Sequence, residues 1–160
     1  DHFSRGYIRI LAAEQSMENK EWLQGTADAI RKNIRHISAD MNVEYCLILS
    51  GDQLYKMDYK MIIAKHEESR ADVTIALTVV DKEKASEFGL ARVDDKGDIN
   101  AFTEKPKDAS LIESYYVPSS VKQSEGLNAD KDYVLANMGI YVFSKDYLCE
   151  LMESTDEPDF

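Results

Sequence analysis

"EYCLILSGDQLYKMDY" (residues 44–59) decides the fold class. Its first half is almost continuously apolar, which suits a strand covered on both faces. The run stops at Ser50 and Gly51, small residues that suit a tight turn, and a carboxylate, Asp52, stands at the tip. Asp58 then has the chemistry of a helix cap, and the spacing predicts a helix to about Arg70 with Tyr59, Ile62, Ile63 and His66 inward. His66 on that face reads as a core histidine with a hydrogen-bond partner rather than a ligand.

The neighbours of this stretch repeat the alternation. Downstream, "ADVTIALTVVD" (residues 71–81) is rich in β-branched residues and reads as a strand. Upstream, "QGTADAIRKNIRHISADM" (residues 24–41) reads as a helix. Ile30, Ile34, Ile37 and Met41 fall on one face, with Arg31, Lys32, Arg35 and His36 on the other. Thr26, just after Gly25, is its expected cap. Before it, "YIRILAA" (residues 7–13) reads as a strand, and a polar loop leads to the single tryptophan, Trp22. Strand, helix, strand, helix, strand in this order predicts an α/β domain with a mostly parallel, mixed sheet. Ligands of such sheets sit beyond the carboxyl ends of the strands, where Asp52 lies.

The second half changes character. "FGLARVDDKGDINAFTEKP" (residues 88–106) predicts a hairpin about the turn "DDKG". Residues 107–132 are polar and aperiodic, and read as an insertion or long loop with a short helix around residues 110–115. "YVLANMGIYVF" (residues 133–143) is a long strand in which Gly139 weakens the strand or admits a close backbone approach. "SKDYLCELMES" (residues 144–154) is a short helix.

Composition excludes several roles. The 160 residues include 30 acidic and 19 basic side chains, a net charge of −11. Nucleic-acid backbones and anionic membranes both demand a basic face, so neither is an expected partner. A polyphosphate would have to be met by local lysines, helix N-termini or Mg²⁺. No run is apolar enough to span a bilayer. Cys46 and Cys149 do not make a disulfide framework, and Cys46 reads as a small core residue. The histidines lack metal-ligand spacing. The first residue is Asp rather than Met, so a targeting signal upstream remains open.

Four segments, in order, carry a resemblance: "WLQGTADAI", "LSGDQLYKMDY", "FTEKPK" and "ANMGIYVFSKD". Together they resemble the hexose-1-phosphate nucleotidyltransferases, and among them the ADP-glucose pyrophosphorylases (glucose-1-phosphate adenylyltransferases). The resemblance implies a Rossmann-like nucleotidyltransferase domain. It implies transfer of the adenylyl group of ATP to glucose 1-phosphate, yielding ADP-glucose and pyrophosphate, with Mg²⁺ required, in glycogen or starch synthesis. In-line transfer of this kind depends on positioning and charge neutralisation.

The site residues follow by resemblance. Asp52 is similar to the metal-holding aspartate, and Lys105 to the lysine that grips the sugar phosphate. Glu104 is similar to the acid that accepts from sugar hydroxyls. Gly89 resembles a glycine whose backbone faces the sugar, and Asn137 stands where the family usually has a sugar-contacting serine. Gln24, Gly25 and Thr26 resemble the nucleotide-side loop. Each has a plainer reading: Asp52 shapes a turn, Glu104 and Lys105 end an exposed strand, and Gly89 begins one.

The resemblance also implies that residues 1–160 are the central part of the catalytic domain. They lack the family's N-terminal glycine-rich phosphate loop, a second metal-site aspartate and the C-terminal β-helix, so the isolated chain is expected to be inactive. A homo- or hetero-tetramer in a bacterial cytoplasm or a plant plastid is the expectation for the full-length protein. Two alternatives stay open: another hexose-1-phosphate nucleotidyltransferase, and a non-catalytic regulatory subunit of the same family.

Overall fold

The computed structural model describes residues 10–11, 25–51, 54 and 56–154. Asp52, Gln24, Trp22 and most of the expected strand at 7–13 lie outside the described residues; Ile10 and Leu11, which are described, are not in a strand. The chain divides into two compact units, Asp1–Cys46 with Phe143–Phe160, and Leu47–Val142.

The first unit holds helices α1 (Thr26–Ser38) and α5 (Lys145–Ser154), which pack against each other. Ala27 on α1 and Leu148 and Met152 on α5 are buried. Arg31 spans the two helices, its Nε donating to the Met152 carbonyl at 3.3 Å. The expected cap shifts by one residue: Gly25 is the N-cap, without a side-chain bond, and Thr26 is the first helical residue. Met41 does not continue the apolar face, because α1 ends at Ser38 and Met41 is exposed. The start of α5 is fastened to the chain ahead of strand β1 (Tyr45–Leu49). The Lys145 N–H donates to the Glu44 carbonyl at 2.9 Å, and its Nζ to the Asp40 carbonyl at 3.0 Å. Cys46 and Cys149 are half-buried free thiols, and burial pushes both upward in pKa.

The second unit is built on the sheet. After β1 come helix α2 (Tyr59–Ser69), strand β2 (Val73–Asp81), a single 3₁₀ segment (Lys82–Glu87) and the hairpin β3 (Gly89–Val93) and β4 (Ile99–Glu104). Short helices α3 (Ala109–Glu113) and α4 (Ser119–Ser124) follow, then the long strand β5 (Tyr133–Ser144). The strand order is β1-β5-β3-β4, and β2 also pairs with β5. β3 runs antiparallel to both β4 and β5.

Asp58 caps α2 as its position predicts, its carboxylate accepting the Lys60 N–H at 3.0 Å. Ile62 and His66 are buried, and the His66 Nδ1 lies 2.8 Å from the Thr74 Oγ1 on β2. Burial holds this imidazole below its ordinary pKa, with Asp72 and Glu67 pulling the other way. The hairpin turn closes around Asp94, whose carboxylate accepts the Lys96 and Asp98 N–H groups at 2.9 and 3.0 Å. Those bonds hold it below the usual carboxylate range.

The short helix expected around residues 110–115 appears as α3, and the polar stretch that carries it is anchored to the sheet as a cover. Tyr116 bridges to Val134 in antiparallel sense, and the Val117 N–H donates to the Tyr133 carbonyl at 2.8 Å. This lays Tyr115 into a core with Ala85, Leu90 and Val134. Polarity hid the anchor because the burying residues, Tyr115 and Val117, are few and sit amid serines and lysines.

Candidate functional site

The hairpin register brings three of the expected residues to one end of the sheet. Gly89 pairs with Glu104, at the start of β3 and the end of β4. Leu90 pairs with Ala136 on β5, and Asn137 is the next residue of β5 past that pair. Asn137, Gly89 and Glu104 thus form a row across three adjacent strands.

Gly89 is favoured by the closeness of its neighbours rather than by its backbone angle. A Cβ built there would lie 2.6 Å from Glu104 Oε2 and 2.7 Å from Phe102 Cζ. The carboxylate therefore lies across the bare glycine backbone, a close approach that only the missing side chain permits.

Lys105 follows in an unusual conformation. Its φ is 42°, in the left-handed region, although it is not glycine and precedes a proline. Strain of this kind persists where the surroundings over-determine it. Here the Lys105 N–H donates to the Phe88 carbonyl at 3.1 Å, and Pro106 is buried. The ammonium stands 3.3 Å from Glu104 Oε1, and both side chains remain mostly exposed. An exposed ion pair contributes little to stability, so the pairing does not explain why the backbone is held this way. What the arrangement offers is an acceptor carboxylate and a cation side by side, open to a ligand.

Asn137 is engaged in the backbone of its own strand. Its Oδ1 accepts the Gly139 N–H at 2.9 Å, an Asx-type turn, and its Nδ2 donates to the Tyr141 hydroxyl at 2.7 Å. Gly139 has φ 68°, which bends β5 at that point. Sequence reasoning missed Tyr141, Phe102 and the Phe88 carbonyl as parts of this end of the sheet. The signal for Tyr141 was present in Asn-x-Gly-x-Tyr, a turn-forming pair with a hydroxyl two residues on.

Asp52 lies outside the described residues. Its preceding turn is described: the Ser50 N–H donates to the Gly139 carbonyl at 3.2 Å, which ties the end of β1 to the bend of β5. On the nucleotide side Gln24 is not described, while Gly25 and Thr26 sit at the α1 N-terminus in the first unit. Asp28 in that first turn pairs with Lys32 at 2.8 Å and suits the helix dipole.

Two cavities in the second unit hold none of these residues. One, of about 450 Å³, is lined by Lys65, Thr74, Leu77, Lys96 and Ile99 among others. The other, of about 500 Å³, is a polar opening whose Lys82 is paired with Asp132 at 3.0 Å. The second also sets a carboxylate beside an ammonium, but neither includes Gly89, Glu104 or Lys105.

A family model described as nucleotidyl transferase matches residues 1–159. The chain belongs to the nucleotidyl transferase family. The structure is also similar to the crystal structure of HddC from Yersinia pseudotuberculosis, with a TM-score of 0.54 and 20% identity. The match covers 89% of this chain and 47% of that one, so this nucleotidyl transferase chain spans about half the length of the solved structure. At that identity the likeness speaks for the shared α/β fold. Among the described residues no helix is long and apolar enough to cross a membrane.

Proposed function

We propose that the full-length protein transfers a nucleotidyl group to a hexose 1-phosphate, and that it is a glucose-1-phosphate adenylyltransferase. The observation that carries the reading is the Gly89–Glu104–Lys105 end of the hairpin. A carboxylate laid over a bare glycine suits sugar hydroxyls, which donate to it, and the adjacent ammonium suits the sugar's phosphate as a point charge. The preference for ATP and glucose rests on the four segments quoted above, not on this geometry.

In this reading the phosphate oxygen of the sugar attacks the α-phosphorus of the nucleoside triphosphate, and pyrophosphate leaves. Lys105 and Glu104 hold the nucleophile, and the work of the protein is alignment. Gly25 and Thr26, with Gln24, belong to the base side. Among the described residues no three His, Cys, Asp or Glu side chains gather as a metal cage. Mg²⁺ keeps water and phosphate ligands and needs only one or two carboxylates, so a donor set of Asp52 and the triphosphate fits it. When bound, Mg²⁺ supplies charge neutralisation on the phosphate oxygens.

The test is a matrix of nucleoside triphosphates against hexose 1-phosphates with Mg²⁺, read as pyrophosphate release by the full-length protein. ATP with glucose 1-phosphate should give the highest kcat/KM. A better pair would move the protein to another hexose-1-phosphate nucleotidyltransferase, and no turnover with any pair would favour the regulatory subunit. Asp52→Asn should lower kcat by orders of magnitude without unfolding the protein; an unchanged kcat at saturating Mg²⁺ returns Asp52 to shaping a turn.

A further inference from the structure

A chain of three hydrogen bonds crosses the bend of β5, and all of its members lie in the second unit. The Asn137 amide donates to the Tyr141 hydroxyl at 2.7 Å. The same side chain's oxygen accepts the Gly139 N–H at 2.9 Å. The Gly139 carbonyl accepts the Ser50 N–H at 3.2 Å. We propose that Tyr141 is a positioning residue for the nucleotidyl transfer: through Asn137 and the Gly139 bend it sets the Ser50–Gly51 turn against the sugar end of the Gly89 row. The inference rests on the sugar-phosphate reading of that row.

The geometry argues for a device rather than a chance contact. Residues four apart on a flat strand stand about 13 Å apart, beyond the reach of an asparagine to a tyrosine hydroxyl on the same strand. The left-handed φ of Gly139 bends β5 between the two residues, and the 2.7 Å contact shows that the gap is closed there. Both ends of the Asn137 amide are engaged, an oxygen on an N–H and an NH₂ on a hydroxyl. Turning the amide over would set its NH₂ against the Gly139 N–H, so the orientation is fixed by the partners. Tyr141 is itself buried, so its hydroxyl does not exchange this bond freely for water.

The position on the sheet gives the device its consequence. Asn137 follows Ala136, which pairs with Leu90 next to Gly89. Gly139, two residues on, holds the last residue of the chain before the Gly51-Asp52 turn. One side chain therefore orders both the sugar end and the turn that leads to the metal aspartate. A serine at position 137, as the resembling family carries, would reproduce the bond to Gly139 and not the bond to tyrosine. Tyr141 matters in this chain because asparagine is present.

The test uses Tyr141→Phe and Asn137→Ser in the full-length protein, with two readouts. Amide hydrogen exchange at Ser50 and Gly139 reports the bracket without any substrate. The KM for glucose 1-phosphate and the Mg²⁺ concentration for half-maximal rate report its consequence. Tyr141→Phe should speed exchange at both amides by about three- to tenfold, the scale of one neutral hydrogen bond, and raise both kinetic constants by a similar factor. Asn137→Ser should do the same, and the double variant should be no worse than Tyr141→Phe alone, because the Asn137–Tyr141 bond is already lost in that single.

Wild-type exchange in Tyr141→Phe overturns the proposal whatever the substrate. So does faster exchange with both kinetic constants unchanged, which would make Tyr141 a core residue only. A wild-type protein that transfers to no sugar phosphate sinks the functional reading instead; the exchange measurements would still decide whether Tyr141 holds the bend.

Discussion

Gly89→Ala separates the site from its scaffold, because the structure sets opposite expectations for stability and for binding. The added Cβ would meet Glu104 Oε2 at 2.6 Å and Phe102 Cζ at 2.7 Å, roughly 0.7 to 0.8 Å inside the range of ordinary contact. Both obstacles can yield. The Glu104 side chain is mostly exposed, and Phe102 is 40% exposed, so the carboxylate swings outward and the ring leans away. Overpacking then costs toward the low end of about 1–3 kcal/mol. Restricting the unfolded chain returns about 0.4–1 kcal/mol. The net loss is up to about 2 kcal/mol, and the fold survives.

The cost to function is larger. In the proposed reading, a displaced Glu104 would forfeit charge-assisted bonds to the sugar worth about 1.5–3 kcal/mol, or about one to two decades in KM for glucose 1-phosphate. Denaturant unfolding gives the first quantity, and saturation kinetics of the full-length protein at fixed Mg²⁺ and ATP the second. A stability loss within the expected range, together with an unchanged KM for the sugar phosphate, would refute the reasoning. The carboxylate over Gly89 would then be a packing detail.

Lys105→Ala should raise KM for glucose 1-phosphate by about one to two decades and leave KM for ATP nearly unchanged. Equal rises would indicate a general loss of the site. Lys105→Gly loses the same ammonium but relieves the left-handed φ of 42°, so it should be the more stable of the two by about 1 kcal/mol in urea unfolding. Thr74→Val leaves the His66 Nδ1 without its 2.8 Å partner and should cost about 1–3 kcal/mol. His66 is held below its ordinary pKa of 6.5, so in the window beneath 6.5 the unfolded chain binds more protons than the folded one. Its contribution is therefore full above 6.5 and lost as pH falls through that window. Urea midpoints against pH should show this slope in the wild type and lack it in His66→Leu.

Much of the fold was legible because local signals and long-range packing agreed. The apolar run ending at Leu49, the β-branched run from Val73 and the Asp58 cap all appear where the sequence put them. Helical spacing erred where a pattern outlived its helix: Met41 fits the α1 face, yet three residues past Ser38 that spacing no longer describes a face. In the stretch at 107–132 the short helix around 110–115 appears as α3, whereas the anchoring of the stretch was not legible. It is held by one bridge to β5 and by the buried Tyr115, Val117 and Lys122, and such pairings leave no period in the sequence.

The site shows the same division more sharply. Residue types alone left Glu104 and Lys105 as an exposed strand end, and only resemblance raised them above that. Register is the missing information: a slip of one residue between β3 and β4 would move Glu104 off Gly89 and send every side chain of β4 to the other face. That register is set by the turn at the opposite end of the hairpin, where Asp94 gathers two N–H groups and Gly97 takes φ 89°, together with an irregularity between Arg92 and Val93 that shifts the pairing by one residue. A turn of this kind is readable as "DDKG". What it places several residues away, a carboxylate over a glycine, follows only once the ladder is counted. The Asn137 position adds the converse lesson. An expected sugar contact has both ends of its amide committed to β5, so under the proposal its influence on a bound sugar would run through the bend at Gly139 and the Ser50 turn rather than through the amide itself.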